Sequence, residues 1–205
     1  MSGSKQILRN IFIYIIIFKS SFFAANPIDD ISFKNANNLH NFYVEISAGT
    51  KEKWEINKKT GLLEKDQKNG KDRIINFLAY PGNYGFVPQT LSGDGDPIDL
   101  IDLEEFFPRG KFKKIKVIGA ILFEDKKDVD YKFIGVSPTG TFKDIQSIND
   151  LLYERPSVVE ILKKWFSSYK KPGEMIYFRY IDKEEALSLL DEAHKKWIRK
   201  QNKEK

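Results

Sequence analysis

Residues 113–123 read KKIKVIGAILF, residues 124–130 read EDKKDVD and residues 131–136 read YKFIGV. The first segment is a run of β-branched and other apolar residues, which suits a buried strand. Gly119 inside it predicts a bend, because a residue without a side chain weakens a strand where the chain must turn a corner. The charged middle segment is a loop and the last segment is again strand-forming, so the stretch is a hairpin. Residues two apart on a strand share a face. The return strand therefore sets Asp130 and Lys132 on one side, with Asp125 at the end of the outgoing strand.

Upstream of the hairpin, residues 41–47 (NFYVEIS) alternate, with Phe42, Val44 and Ile46 opposite Tyr43, Glu45 and Ser47, as in a half-buried strand. Residues 53–56 (KWEI) alternate again, with Lys53 and Glu55 on one face. If these two segments pair, Glu45, Lys53 and Glu55 form one polar cluster, which on a solvent face would be ordinary cross-strand ion pairing. Residues 62–65 read as a short strand, and 66–72 as a polar loop ending at Arg73. Residues 80–86 (YPGNYGF) are turn-rich and hold Tyr80 and Tyr84, which either pack a corner or aim phenols into a site. Residues 98–103 are strand-like.

Downstream the period changes to that of a helix. Residues 145–152 make a short one, and Pro156 opens a second, as proline favours the first helical position. Its apolar stripe is Val158, Ile161, Leu162, Trp165, Phe166 and Tyr169. Residues 175–181 form another strand, and 184–200 a last helix in which His194 is a packing residue without chemistry. Short strands followed by helices give an α+β fold, mainly β, with a small antiparallel barrel as the natural closure of the hairpins.

A chain of 205 residues with 41% hydrophobic and 31% charged residues is one soluble globular domain. The net charge of +5 suits a nucleic acid, a small anionic substrate or a lysine-rich surface alike. The absence of cysteine excludes disulfides and thiolate metal sites, and two histidines argue against a histidine-rich zinc site. Residues 1–25 have the layout of a secretory leader, with Lys5 and Arg9, then IFIYIIIF, then small residues. The apolar run is shorter than the roughly 20 residues of a spanning helix. Lys19 and the lack of a clean cleavage site keep an uncleaved anchor or an organellar targeting segment as alternatives. The expectation is export, to a periplasm, of a mature domain comprising residues 26–205, with a cytoplasmic or organellar location as the alternative.

The chemistry concentrates in Asp94-Gly95-Asp96-Pro97-Ile98-Asp99, followed by Asp102, Glu104 and Glu105. Bunched carboxylates repel one another unless a cation lies between them. Their donors are hard oxygens, suited to Mg²⁺, Mn²⁺ or Ca²⁺. An EF-hand does not fit, because Asp99 stands where its loop needs glycine. Nucleotide-loop, zinc-protease and serine-hydrolase motifs are missing too. The remaining acids at 45, 55, 94, 96, 99, 125 and 130, with cations at 53, 73, 132 and 170, make the mixture expected where divalent metals meet a phosphate polyanion.

These residues resemble the soluble family I inorganic pyrophosphatases in their shorter bacterial form. The match runs over about residues 40–200 and rests on DGDPID with the following hydrophobic residue and Asp102, on Glu45 in VEIS, on KWEI, Arg73 and YPGNYGF, on the spacing of Asp125, Asp130 and Lys132, and on Tyr169-Lys170. The resemblance implies a five-stranded closed barrel of the OB type with helices packed outside. It implies hydrolysis of pyrophosphate to two orthophosphates with Mg²⁺, Mn²⁺ or Zn²⁺ substituting, by a homohexamer of two trimers. Asp94, Asp99 and Asp130 would ligate the first metal, with Asp99 bridging to a second, and Asp125, Asp130 and Glu45 would serve further metals. Asp96 would be the base acting on the nucleophilic water. Lys53, Arg73, Tyr84, Tyr169 and Lys170 would hold the phosphates with Lys132 and Tyr80 nearby, and Glu55 would order the site. Three features depart from the family pattern: Lys126 stands where relatives often carry an acid, the loop before Tyr80 is slightly shortened, and an export-like leader is not typical of a family whose usual role is cytoplasmic. The alternative is a basic OB-fold module for single-stranded nucleic acid, stacking bases on Trp54 and the tyrosines. The acids among those contacts would repel a phosphate backbone, so no nucleic-acid partner is expected, and a membrane contact only if the leader stays attached.

Overall fold

The computed structural model describes residues 25–203; residues 1–24, which carry all but the last residue of the expected leader, lie outside the described residues, as do 204–205. The strands are β1 (His40–Ile46), β2 (Trp54–Ile56), β3 (Leu63–Lys65), β4 (Gln67–Lys68), β5 (Lys71–Asp72), β6 (Asn83–Val87), β7 (Ile98–Asp102), β8 (Lys111–Asp125), β9 (Asp128–Val136) and β10 (Met175–Ile181). The helices are α1 (Ile148–Glu154), α2 (Pro156–Ser168) and α3 (Lys183–Lys203). The fold is α+β and mainly β, as the change of period from strand to helix along the chain predicts.

Six strands form the main sheet, in the order β1-β6-β7-β9-β8-β10, and β1 pairs also with β8. The sixth strand corrects the expected count of five: β10 adds to β8, outside the β1–β8 pairing. All of these pairs are antiparallel except β7 with β9, which run parallel. Two further corrections concern the ribbons. The strand at 53–56 does not pair with β1; β2 pairs with β3 instead. The polar loop at 66–72 is a small ribbon of β4 and β5, turned at Asn69 and Gly70 with φ of 55° and 72°. An Asn-Gly pair accepts two successive positive φ values, and these give the tightest hairpin turn.

The hairpin of β8 and β9 is longer than the sequence suggests, because its turn takes only Lys126 and Lys127, at φ 54° and 78°. The bend falls at Gly119, where the β8–β9 register shifts between Val117 and Gly119. A side chain there would meet the Ile181 carbonyl oxygen at 2.7 Å and Ile148 Cβ at 2.8 Å. The missing Cβ thus lets β10 and α1 close on the bend.

Both faces of this sheet are covered, which is why β1 is buried along its whole length and not half-buried. Phe42 and Val44 pack with Leu100, Ile115 and Phe133, a cluster that α3 closes through Ala186, Leu190 and Ala193. Tyr43 packs on the other side with Ile28, Ile56 and Phe86. A bulge between Val44 and Ile46 then sends Ile46 to a third cluster, where Leu151, Val159, Leu162 and Phe166 of α1 and α2 cover Ile118, Ile121 and Ile134. Ser147 caps α1, its Oγ accepting from Asp150 N–H while the Asp150 carboxylate accepts from Ser147 N–H. His194 is a packing residue as expected, stacked on Phe33 at 4.3 Å.

Candidate active site

The strands converge on one cavity of about 860 Å³. Glu45 reaches it from β1, Asp99 from β7, Asp125 from β8, and Asp130 and Lys132 from β9. The β2–β3 ribbon contributes Lys53, Trp54 and Glu55, the acidic turn Asp94 and Asp96, and the end of α2 Tyr169 and Lys170. Residues from seven places in the fold therefore meet where sequence spacing alone shows only scattered charges.

Lys132 holds the centre. Its Nζ lies 2.5 Å from Asp99 Oδ2, 2.8 Å from Asp130 Oδ1 and 3.2 Å from the Tyr84 hydroxyl. Burial disfavours its charge, but the Asp99 and Asp130 carboxylates outweigh that and hold the ammonium well above the ordinary lysine range. Burial raises the Asp130 carboxyl above its ordinary range; the Lys132 charge opposes this and Asp99 adds to it. Lys170 Nζ lies 2.5 Å from Asp125 Oδ2, while Asp125 Oδ1 is shielded from solvent and accepts no hydrogen bond. An unpartnered buried carboxylate oxygen is costly, and it has room to accept from a cation or donor.

Glu45 is the most perturbed acid. Burial pushes its carboxyl up to about 8, against the Ile56 N–H that donates to it at 2.7 Å, with Asp99 and Glu55 adding repulsion. Thus β1 and β2 are joined through this side chain though not as a hairpin. Lys53 pairs with Glu55 and lies 3.4 Å from Asp66. Asp94 accepts from Asp96 N–H at 3.0 Å, which holds the acidic turn, and Asp96 pairs with Lys58 from the turn between β2 and β3. Burial holds the phenols of Tyr80, Tyr84 and Tyr169 well above the ordinary tyrosine range, so they are neutral donors at physiological pH. Trp165 packs against Tyr80 at 4.6 Å and stacks on Tyr169 at 4.7 Å, fixing two of the three.

The family model described as inorganic pyrophosphatase matches residues 42–198. The chain belongs to the inorganic pyrophosphatase family. It is 37% identical over 151 residues to soluble inorganic pyrophosphatase 5 of Arabidopsis thaliana, covering 72% of this chain and 66% of that one. It is 32% identical over 160 residues to the inorganic pyrophosphatase of Nanoarchaeum equitans, covering 76% and 95%. Among solved structures, the type I inorganic pyrophosphatase from P falciparum superposes with a TM-score of 0.78 at 27% identity, over 86% of this chain and 64% of that one. The Helicobacter pylori inorganic pyrophosphatase gives 0.71 at 29% identity, over 82% and 98%. The chain thus spans about two thirds of the Arabidopsis relative and nearly all of the two shorter ones.

Within this pyrophosphatase fold the predicted residues are gathered, with one exception. Arg73 is not among the residues lining the cavity; its Nη1 lies 2.9 Å from Asp66 Oδ2. Asp66 therefore ties Lys53 and Arg73 together, a role that sequence reading missed because Asp66 looks like any acid opening a polar loop. Lys58 was missed for the same reason. Lys126 lines the cavity beside Asp125, as its position predicts. Asp102 and Glu104, neighbours of the acidic turn in sequence, belong elsewhere. Asp102 is fully buried and accepts from Lys113 Nζ at 2.6 Å and Asn83 Nδ2 at 2.9 Å. Glu104 accepts from the backbone N–H groups of Thr141 and Phe142.

Among the described residues no three acidic or histidine side chains are drawn together closely enough to hold a metal ion. The donor chemistry nevertheless fits a hard divalent cation. Asp94, Asp96, Asp99, Asp125 and Asp130 line one cavity, Lys132 already stands as the cation between two of them, and Asp125 offers a free buried oxygen.

Proposed function

We propose that the chain hydrolyses inorganic pyrophosphate to two orthophosphates in this cavity. The observation that carries the reading is Lys132, held between Asp99 and Asp130 in a cavity whose walls alternate carboxylates with phosphate-binding donors. Asp94, Asp99 and Asp130 would hold one divalent cation, Asp99 sharing a second, and Asp125, Asp130 and Glu45 would take any further one. Bound there, such ions neutralise phosphate oxygens and acidify water. Family membership supports dependence on a divalent metal, and the resemblance supports Mg²⁺.

Asp96 is assigned as the base. Its carboxylate takes the proton as the water oxygen bonds to one phosphorus and the bridging P–O bond breaks, the electron pair leaving on the second phosphate. Lys53, Lys170 and Lys132 face the phosphates as fixed cations, while Tyr84 and Tyr169 donate hydrogen bonds and, being neutral, do not repel them. Tyr80 supports Tyr84 from 5.4 Å. Arg73 serves by release from Asp66 toward substrate, and Glu55 keeps Lys53 in place. The test is orthophosphate release from pyrophosphate with Mg²⁺, its abolition by chelator, and its loss in Asp96→Asn and Asp99→Asn. Full activity in both variants overturns the assignment.

The fold supports a finer description. The pairings β1-β6-β7-β9-β8 return to β1, which is the connectivity of a five-stranded barrel of the OB type with β10 as an addition. By resemblance the assembly is a homohexamer. The basic–apolar–small order of residues 1–25 supports export to a periplasm with phosphate scavenging as the task. Recovery of the protein only in cytosolic fractions would contradict that location.

A further inference from the structure

The cavity does not end at the residues assigned above. Its wall continues onto α3 through Leu189, Glu192, Ala193 and Lys196. Lys196 is also one of the four side chains, with Arg199, Lys200 and Lys203, that alone line a second groove of about 320 Å³. Spacings of three, four and seven residues put all four on one face of the helix. One lysine thus belongs to both hollows, and beyond Glu192 a row of cations leads away from the proposed pyrophosphate site along α3.

Two ordinary explanations fall short. Cations near a helix C-terminus offset its dipole, but that effect is confined to the last turn, and Lys196 lies nearly two turns before the end. Surface lysines are also often solvated partners of acids. Among the described residues Lys196, Arg199 and Lys203 form no ion pair. A row of cations in which Lys196, Arg199 and Lys203 stand outside any ion pair, joined to the main cavity, is complementary to an anion longer than pyrophosphate.

We infer that the α3 groove binds the distal phosphoryl groups of a linear inorganic polyphosphate whose end lies in the main cavity. This rests on the phosphate reading of that cavity. The repeating single charges of such a chain match cations set one helical turn apart, and the absence of an aromatic platform among the groove's lining side chains disfavours stacked bases.

The test titrates the Asp96→Asn chain, in which turnover is blocked, and its further variants with medium-length inorganic polyphosphate in Mg²⁺, so that binding is read without turnover and with the cavity's acids neutralised. Arg199→Gln/Lys203→Gln should bind polyphosphate about tenfold more weakly at low salt, and its slope of log affinity against log salt should be shallower by about 0.7 for each cation removed. Lys196→Gln should weaken binding as well, while Arg199→Gln/Lys203→Gln with Asp96 intact keeps its rate of pyrophosphate hydrolysis. Unchanged affinity and slope in the double variant overturn the inference. So does a single-stranded oligonucleotide of equal phosphate number that binds the Asp96→Asn chain as tightly and loses as much on substitution. Polyphosphate binding, where the native chain releases no orthophosphate from pyrophosphate, upholds the groove and refutes only the activity assigned to the cavity.

Discussion

Among the described residues, Lys113 and Lys132 each pair with aspartate, and the two centres differ in what surrounds the pair. Lys113 meets Asp102, which has no exposed surface and whose carboxylate also accepts from Asn83 and the Glu104 N–H. Burial raises the Asp102 carboxyl, and the Lys113 ammonium opposes that and keeps the pair ionic. Lys132 meets Asp99 and Asp130, whose side chains keep 34% and 20% of their exposure because they face the cavity. The first centre has a donor for every demand and nowhere for a ligand to enter. The second has one cation among several acids, an orphaned Asp125 oxygen beside it, and open space. Complete satisfaction holds the loop after β7 in place; incomplete satisfaction beside a void is what a site for charged ligands requires.

Substitutions that cut each lysine away should separate the two centres. The largest effect is expected for Lys132→Met: orthophosphate release from pyrophosphate should fall about 100- to 1,000-fold, the cost of removing a group aimed at developing charge. Because water reaches Asp99 and Asp130, the melting temperature should move little. Lys113→Met should do the opposite. It leaves Asp102 charged and buried, and urea unfolding should show a loss of about 3 kcal/mol, with the activity of the folded protein kept within about twofold. Adding Asp102→Asn to that variant should return about 1 kcal/mol, since the uncompensated charge is gone. A Lys113→Met protein that is stable but inactive would erase the distinction.

Gly119→Ala sharpens the account from the fold side. The added methyl would meet Ile181 oxygen and Ile148 at contact distances that neither backbone nor branched side chain can yield cheaply. Stability should drop by about 2 kcal/mol in chemical unfolding, through β10 and α1 and not through the cavity. The smallest effect concerns acid. Burial, with Lys34 adding, lowers the His40 imidazole to about 4, so folding favours its neutral form. Its contribution is whole above the unfolded value of about 6.5 and is lost as pH falls from there toward 4. His40→Gln should flatten that part of the stability curve, with the pH dependence of phosphate release unchanged.

The sequence carried more of the site than of the architecture. The acidic turn, the Asp125–Asp130–Lys132 spacing and the Tyr169-Lys170 pair stand out because bunched like charges and buried-strand cations need a reason, and the structure brings them into one cavity. What stayed hidden depends on pairing. Nothing in residues 53–56 says whether they pair backward to β1 or forward to β3, because both partners alternate. The ribbon at 66–72 was overlooked although Asn69-Gly70 is a strong turn signal, since its flanks are charged and too short to show a period. Asp66 and Lys58 became visible only as partners of Lys53, Arg73 and Asp96. Asp102 shows the reverse error: adjacent to the site in sequence, it points to the other side of β7 and serves the loop.

The central claim is that the acids around Lys132 act on pyrophosphate while the ion pair of Lys113 with Asp102 does not. Orthophosphate release from pyrophosphate with Mg²⁺, measured side by side for the native chain, Asp99→Asn and Lys113→Met at a temperature where all three are folded, tests it most directly. The expected result is release by the native chain and by Lys113→Met at comparable rates, with Asp99→Asn lower by at least about 100-fold. Equal rates for Asp99→Asn and the native chain, or no release by the native chain, would contradict it.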